Sequence, residues 1–92
     1  MSKVIEKKIR TDYFDQVKSG QKTFELRLAD WDCQPGDVLV LKEVDINGQY
    51  TGRSLRKKVG FIVKTKELDF FTPQEIEEHG YQVISLLEEG AA

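Results

Sequence analysis

The chain has 92 residues, 39% hydrophobic and 33% charged, with a formal net charge of -2. That mix excludes collagen-like and low-complexity classes, and it is too apolar and aromatic for a disordered chain. It predicts a single small domain spanning residues 1–92, long enough for one core.

Taken in chain order, Val4 to Arg10 mixes apolar and charged residues and reads as an entering strand. Thr11 is a candidate cap for a short helix over Asp12 to Ser19, with Phe14 and Val17 facing the core together with Tyr13. Asp12 suits the positive end of that helix, and Gly20 supplies a left-handed stop. Lys22 to Leu28 alternates, with Phe24, Leu26 and Leu28 on one face and Thr23, Glu25 and Arg27 on the other, which predicts a strand. Asp30 to Gly36 is a loop, and Val38 to Val44 is a β-prone run. Asn47-Gly48 signals a hairpin into a second strand, predicted as one long or bulged strand from Tyr50 to Lys64, broken by Gly52 and Gly60. Phe70-Phe71 reads as a staple and core plug ahead of Thr72-Pro73-Gln74-Glu75, a helix start with cap, N1 proline and capping box. That helix should stop near His79 at Gly80. Tyr81 to Leu87 is predicted as a last, covered strand, and Gly90-Ala91-Ala92 as a frayed tail. Curling so many strands into a barrel limits exposed edges, so the pattern predicts a small α+β barrel.

One cysteine makes an internal disulfide impossible, which suits a reducing compartment. The apolar run Val38 to Leu41 is far short of the roughly 20 residues of a membrane span. MSKVIEKKIR carries no apolar signal core. A cytoplasmic location without membrane association is the expectation. No metal-ligand spacing, phosphate loop or nucleophile elbow occurs, so neither metal nor cofactor is implied. No obligate protein partner is evident.

Charge is unevenly spread. Residues 1–66 carry all 14 Lys and Arg against 9 Asp and Glu, whereas residues 67–92 carry 7 acids and no Lys or Arg. Arg53, Arg56, Lys57, Lys58, Lys64 and Lys66 form a block uninterrupted by a carboxylate. Two readings stay open: solvated strand faces beside a solubilising acidic tail, or a positive surface for an anionic partner.

The most informative stretch is Gly20-Gln21-Lys22-Thr23-Phe24-Glu25-Leu26-Arg27. On one strand Glu25 and Arg27 share a face, close enough to pair and to present fixed donors and acceptors to a base edge or phosphate. Lys22 falls on the opposite face and joins them only if the chain turns near residue 22, which Gly20 permits. The bland alternative is a solvated ion pair beside a solvated lysine.

Gly20, Lys22, Glu25 and Arg27 match the Gly-x-Lys-x-x-Glu-x-Arg pattern of the ASCH branch of PUA-like domains. The flanking order also resembles that family: a short helix ending at Gly20, Pro35-Gly36-Asp37 leading into a strand, and Gly80-Tyr81 leading into the last one. The resemblance implies a PUA-like β pseudobarrel of about five to six strands with two short helices. It also implies a cleft for RNA, nucleotides or modified nucleosides. Ligand-binding candidates are Lys22, Thr23, Glu25, Arg27, Arg53, Arg56 and Lys57. Some members are acetylcytidine amidohydrolases, with a Thr nucleophile in the slot that Glu25 fills here. The alternative reading is therefore a hydrolase of an acylated nucleoside, with Lys22 and Glu25 as catalytic pair and Glu75 or Glu78 as candidate second carboxylate. Trp31 and Tyr50 are candidate base-stacking rings, or partial core.

Overall fold

The computed structural model describes residues 2–90. Along the chain it places β1 (Val4–Arg10), α1 (Thr11–Lys18), β2 (Val38–Val44), β3 (Tyr50–Lys58), a 3-10 turn at Thr65–Glu67, and α2 (Pro73–His79). β2 is central, parallel to β1 and antiparallel to β3. A parallel pair needs a crossover, supplied by α1 and the long loop after it; the antiparallel pair needs only a tight turn. That turn is built on Asp45, whose carboxylate accepts from the backbone N–H of Asn47 and Gln49 at 2.9 and 3.0 Å, with Gly48 at φ 76°.

Alternation along the strands sends Ile5, Ile9, Leu39, Leu41 and Leu55 to one face of the sheet, where α1 lays Phe14 and Val17 over them. This is the core. Thr11 lies inside the first turn of α1 rather than before it, and its hydroxyl donates to the Val44 carbonyl at 3.4 Å instead of capping the helix. Gly20 does leave the helix at φ 84°. α2 forms as read: Thr72 Oγ1 accepts from Glu75 N–H at 3.1 Å, the Glu75 carboxylate accepts from Thr72 N–H at 2.9 Å, and Gly80 ends it. No helix among the described residues is long and apolar enough to cross a membrane.

The pseudobarrel of five to six strands is not what forms; the sheet is three-stranded, mixed and open. Lys22 to Leu28 and Tyr81 to Leu87 alternate but join no ladder, and Leu28 and Leu86 stand 80% and 84% exposed. Alternation specifies a face, not a hydrogen-bonding partner, and here side chains take the bonds a ladder would need. Arg27 Nη2 donates to the Lys8 carbonyl on the outer edge of β1 at 2.7 Å, and Ser85 Oγ accepts the Thr23 N–H at 3.0 Å. β3 stops at Lys58, short of the Lys64 expected, after Val59 closes the sheet by exchanging bonds with Gly36 and Asp37. Phe70 and Phe71 are exposed rather than a core plug; Phe71 meets Phe70 and Tyr81 edge-on at 5.9 and 6.2 Å. The Ala91-Ala92 part of the proposed tail lies outside the described residues.

Two acids are buried, and each is satisfied. Asp37 accepts from the backbone N–H groups of Gln34 and Lys3, which together hold its carboxyl below the usual range. Glu43 receives Nε and Nη2 of Arg53 at 2.9 and 2.6 Å and the Thr51 hydroxyl. These donors, Arg53 foremost, lower its carboxyl from 4.5 to about 2 against the opposing effect of burial. Arg53 also reaches Asp15 at 3.0 Å and lies over the Phe14 ring, so it ties β3 to β2 and α1.

A depressed folded-state pKa means stability that is complete above the unfolded value and is lost as pH falls through the folded one. The thermal midpoint should therefore drop between pH 4.5 and about 2 in part through Glu43. Glu43→Gln should lower the midpoint by several degrees at pH 7 and flatten that acid limb in a pH series followed by circular dichroism. An unchanged limb would remove Glu43 from this role.

Candidate functional site

The motif residues meet at the outer edge of β1. After α1, Gly20 turns the chain back and Lys22 N–H donates to the Gln16 carbonyl at 3.0 Å, which anchors the segment against the helix end. This turn overcomes the opposite-face placement that strict alternation assigns to Lys22. Lys22 Nζ then donates to Glu25 Oε1 and to the Phe24 carbonyl, both at 2.8 Å. Arg27 Nε donates to Glu25 Oε2 at 2.9 Å, and its Nη2 pins the group to the Lys8 carbonyl. One carboxylate thus holds two cations, one on each oxygen.

The cations are not out in bulk water. The side chains of Lys22, Glu25 and Arg27 are 13%, 21% and 29% exposed. Lys22 Nζ sits 4.8 Å from the centre of the Phe24 ring and 5.4 Å from that of Tyr13, a notch in which cation–π attraction adds to the ion pair. The three side chains line a cavity of about 540 Å³ together with Tyr13, Gln16 and Ser85. Lys22 and Arg27 keep N–H donors beyond those bound to Glu25 and backbone carbonyls, and the triad carries one positive charge in excess. Such a hollow can accept an anionic group or a base edge rich in carbonyls.

The other candidates lie elsewhere. Thr23 is exposed and does not line the cavity; its backbone, through Ser85, ties the C-terminal segment to the motif. Arg53 is committed to Glu43 and Asp15. Arg56 and Lys57 are exposed on β3, two strand spacings or about 10 Å from β1. Consecutive on a strand, they point to opposite faces. Glu75 serves the capping box and Glu78 stands near His79 on α2, neither of them in the cavity. Trp31 packs against the core under Lys7, 3.9 Å away, whereas Tyr50 is 60% exposed. Among the described residues no group of three or more His, Cys, Asp or Glu side chains could hold a metal ion. Tyr13, expected in the core with Phe14 and Val17, is instead 47% exposed and lines the cavity, because a position next to Phe14 on the helix turns it away from the sheet; Gln16 and Ser85 were not marked as part of this site.

Residues 4–86 match a family described as a domain of unknown function, DUF3850. The chain belongs to that family. It is also similar to an uncharacterized 12.9 kDa protein in the GpA 3′ region of Escherichia phage P2, 37% identical over 59 residues. The similarity covers 64% of this chain and 53% of the phage protein, so the chain spans about half the length of that relative. Neither description names an activity.

The Glu25 bridge is the local stability element of this edge. Arg27→Ala removes the bond to Glu25 and the tie to Lys8, and should cost about 1.5–3 kcal/mol, typical of hydrogen bonds to charged groups. Amide exchange measured across residues 22–29 should quicken while β2 and β3 stay protected. Uniform exchange in wild type and variant would contradict this arrangement.

Proposed function

We propose that the cavity at the edge of β1 binds RNA or a nucleotide-sized ligand, modified nucleosides included, with Lys22 and Arg27 donating and Glu25 accepting. The observation that carries this reading is the convergence of Lys22 and Arg27 on one Glu25 carboxylate in the wall of a hollow of about 540 Å³, a size suited to one nucleotide. The motif's likeness to ASCH domains of the PUA-like group supplies the ligand class. In this reading Glu25 accepts from a base amino group or ribose hydroxyl, and Tyr13 offers a ring at the mouth. Arg56 and Lys57 are too far for a mononucleotide; Arg56, on the face away from α1, contributes phosphate contacts only to a longer chain, Lys57 points to the other face, and Arg53, held by carboxylates, drops out. Such a ligand belongs to the cytoplasm, the compartment we propose.

Binding is favoured over hydrolysis of an acylated nucleoside. Among the described residues lining the cavity Glu25 is the one carboxylate. A second carboxylate is missing from the wall among the described residues, since Glu75 and Glu78 lie on α2.

Calorimetric titration with cytidine 5′-monophosphate tests the proposal. Binding should weaken about tenfold or more in Lys22→Ala and in Arg27→Ala, the loss expected for a charge-assisted hydrogen bond. It should also fall as salt is raised. Affinity equal in wild type and both variants would sink it.

A further inference from the structure

The sheet has a second face, opposite α1. Register places Lys8 beside Lys42, Glu6 beside Val40, Val40 in turn beside Arg56, and Val38 beside Lys58; all of these point away from the core. Tyr50 joins them: the ammonium groups of Lys8 and Lys42 lie 5.7 and 5.8 Å from the centre of its ring, which is 60% exposed. The helix that packs on the sheet, α1, lies on the other side. Lys42 meets Glu6 at 3.1 Å, and Glu6 is the only carboxylate that register puts on this face among the described residues. The face is therefore an exposed ring among cations, bordered on one side by the cavity, whose wall includes Lys8.

We infer that this open face is a track for single-stranded RNA, running from the cavity across Lys8 and Lys42 to Arg56, with one base stacked on Tyr50. The nucleic-acid chemistry rests on the function proposed for the cavity, but the surface is a separate one. Charge complementarity selects the occupant: a polyanion satisfies Lys8, Lys42, Arg56 and Lys58 together, and an acidic or apolar protein surface leaves the ring without a use. A lone exposed aromatic flanked by cations suits an unpaired base, which a duplex does not offer. Glu6 is an acceptor that a ribose 2′-hydroxyl can use and a deoxyribose cannot. The track also gives Arg56 the phosphate role that its distance from the cavity denies it for a mononucleotide.

The test is fluorescence anisotropy with a labelled single-stranded oligouridylate, run beside calorimetry with uridine 5′-monophosphate. Tyr50→Ala should weaken oligomer binding about tenfold, the effect of losing one base–aromatic stack. Lys42→Gln should reduce the salt slope by about 0.7, one phosphate contact on a single strand. Both should leave the mononucleotide affinity unchanged, and Phe61→Ala, an exposed ring outside the face, should change neither. The matching DNA strand should bind several-fold more weakly, and a duplex more weakly still. Oligomer binding that ignores both Tyr50→Ala and Lys42→Gln, with thermal midpoints showing folded variants, overturns the track; equal binding of DNA overturns the choice of RNA. Oligomer binding that depends on Tyr50 but ignores Lys22→Ala supports the track and overturns the cavity reading.

Discussion

The Glu25 carboxylate is the constraint on which the site depends. Lysine and arginine side chains are long and repel one another, so without an anion between them Lys22 and Arg27 would spread into solvent. Glu25 takes one on each oxygen, and backbone carbonyls of Phe24 and Lys8 take further donors from the same groups. The result is a pair of cations at fixed separation, partly shielded from water, with donors left over. Partial burial matters because an exposed pair of this kind contributes little.

The same bonds occupy backbone groups that a further strand would need. A guanidinium on the Lys8 carbonyl occupies an acceptor on the free edge of β1, and the Ser85 hydroxyl occupies the Thr23 N–H. Side-chain donors and sheet edge thus compete for the same backbone groups, and at Lys8 the side chain wins. On the opposite edge β3 ends in Arg56, Lys57 and Lys58, whose charges discourage pairing with another strand. Glu43 and Arg53 do separate work, clamping the hairpin to α1 so that the sheet keeps a fixed relation to the helix bearing Tyr13 and Gln16.

Much of this was legible in local sequence. The capping box at Thr72 and Glu75, the Asn47-Gly48 turn and the Gly20 stop are determined by neighbours within a few residues, and each forms as read. The convergence of Lys22 with Glu25 and Arg27 was legible only as a condition, a turn near residue 22, which the bond from Lys22 to Gln16 supplies. What escaped is what depends on distant partners. The block from Arg53 onward holds no carboxylate in sequence, yet Arg53 finds Glu43 across the hairpin and Asp15 on α1. Alternation in Lys22 to Leu28 and Tyr81 to Leu87 carried no information on whether a ladder partner would be present. The Phe70-Phe71 pair looked like core because aromatic residues usually are, and here the pair meets Tyr81 at the surface instead.

The most direct measurement is the backbone amide spectrum of isotopically labelled protein titrated with cytidine 5′-monophosphate. Shifts should concentrate at residues 22–27, at Lys8 and around Tyr13, with Arg53 and α2 undisturbed. Shifts centred on another surface, or a spectrum that ignores the nucleotide, would contradict the assignment of this hollow as the binding site.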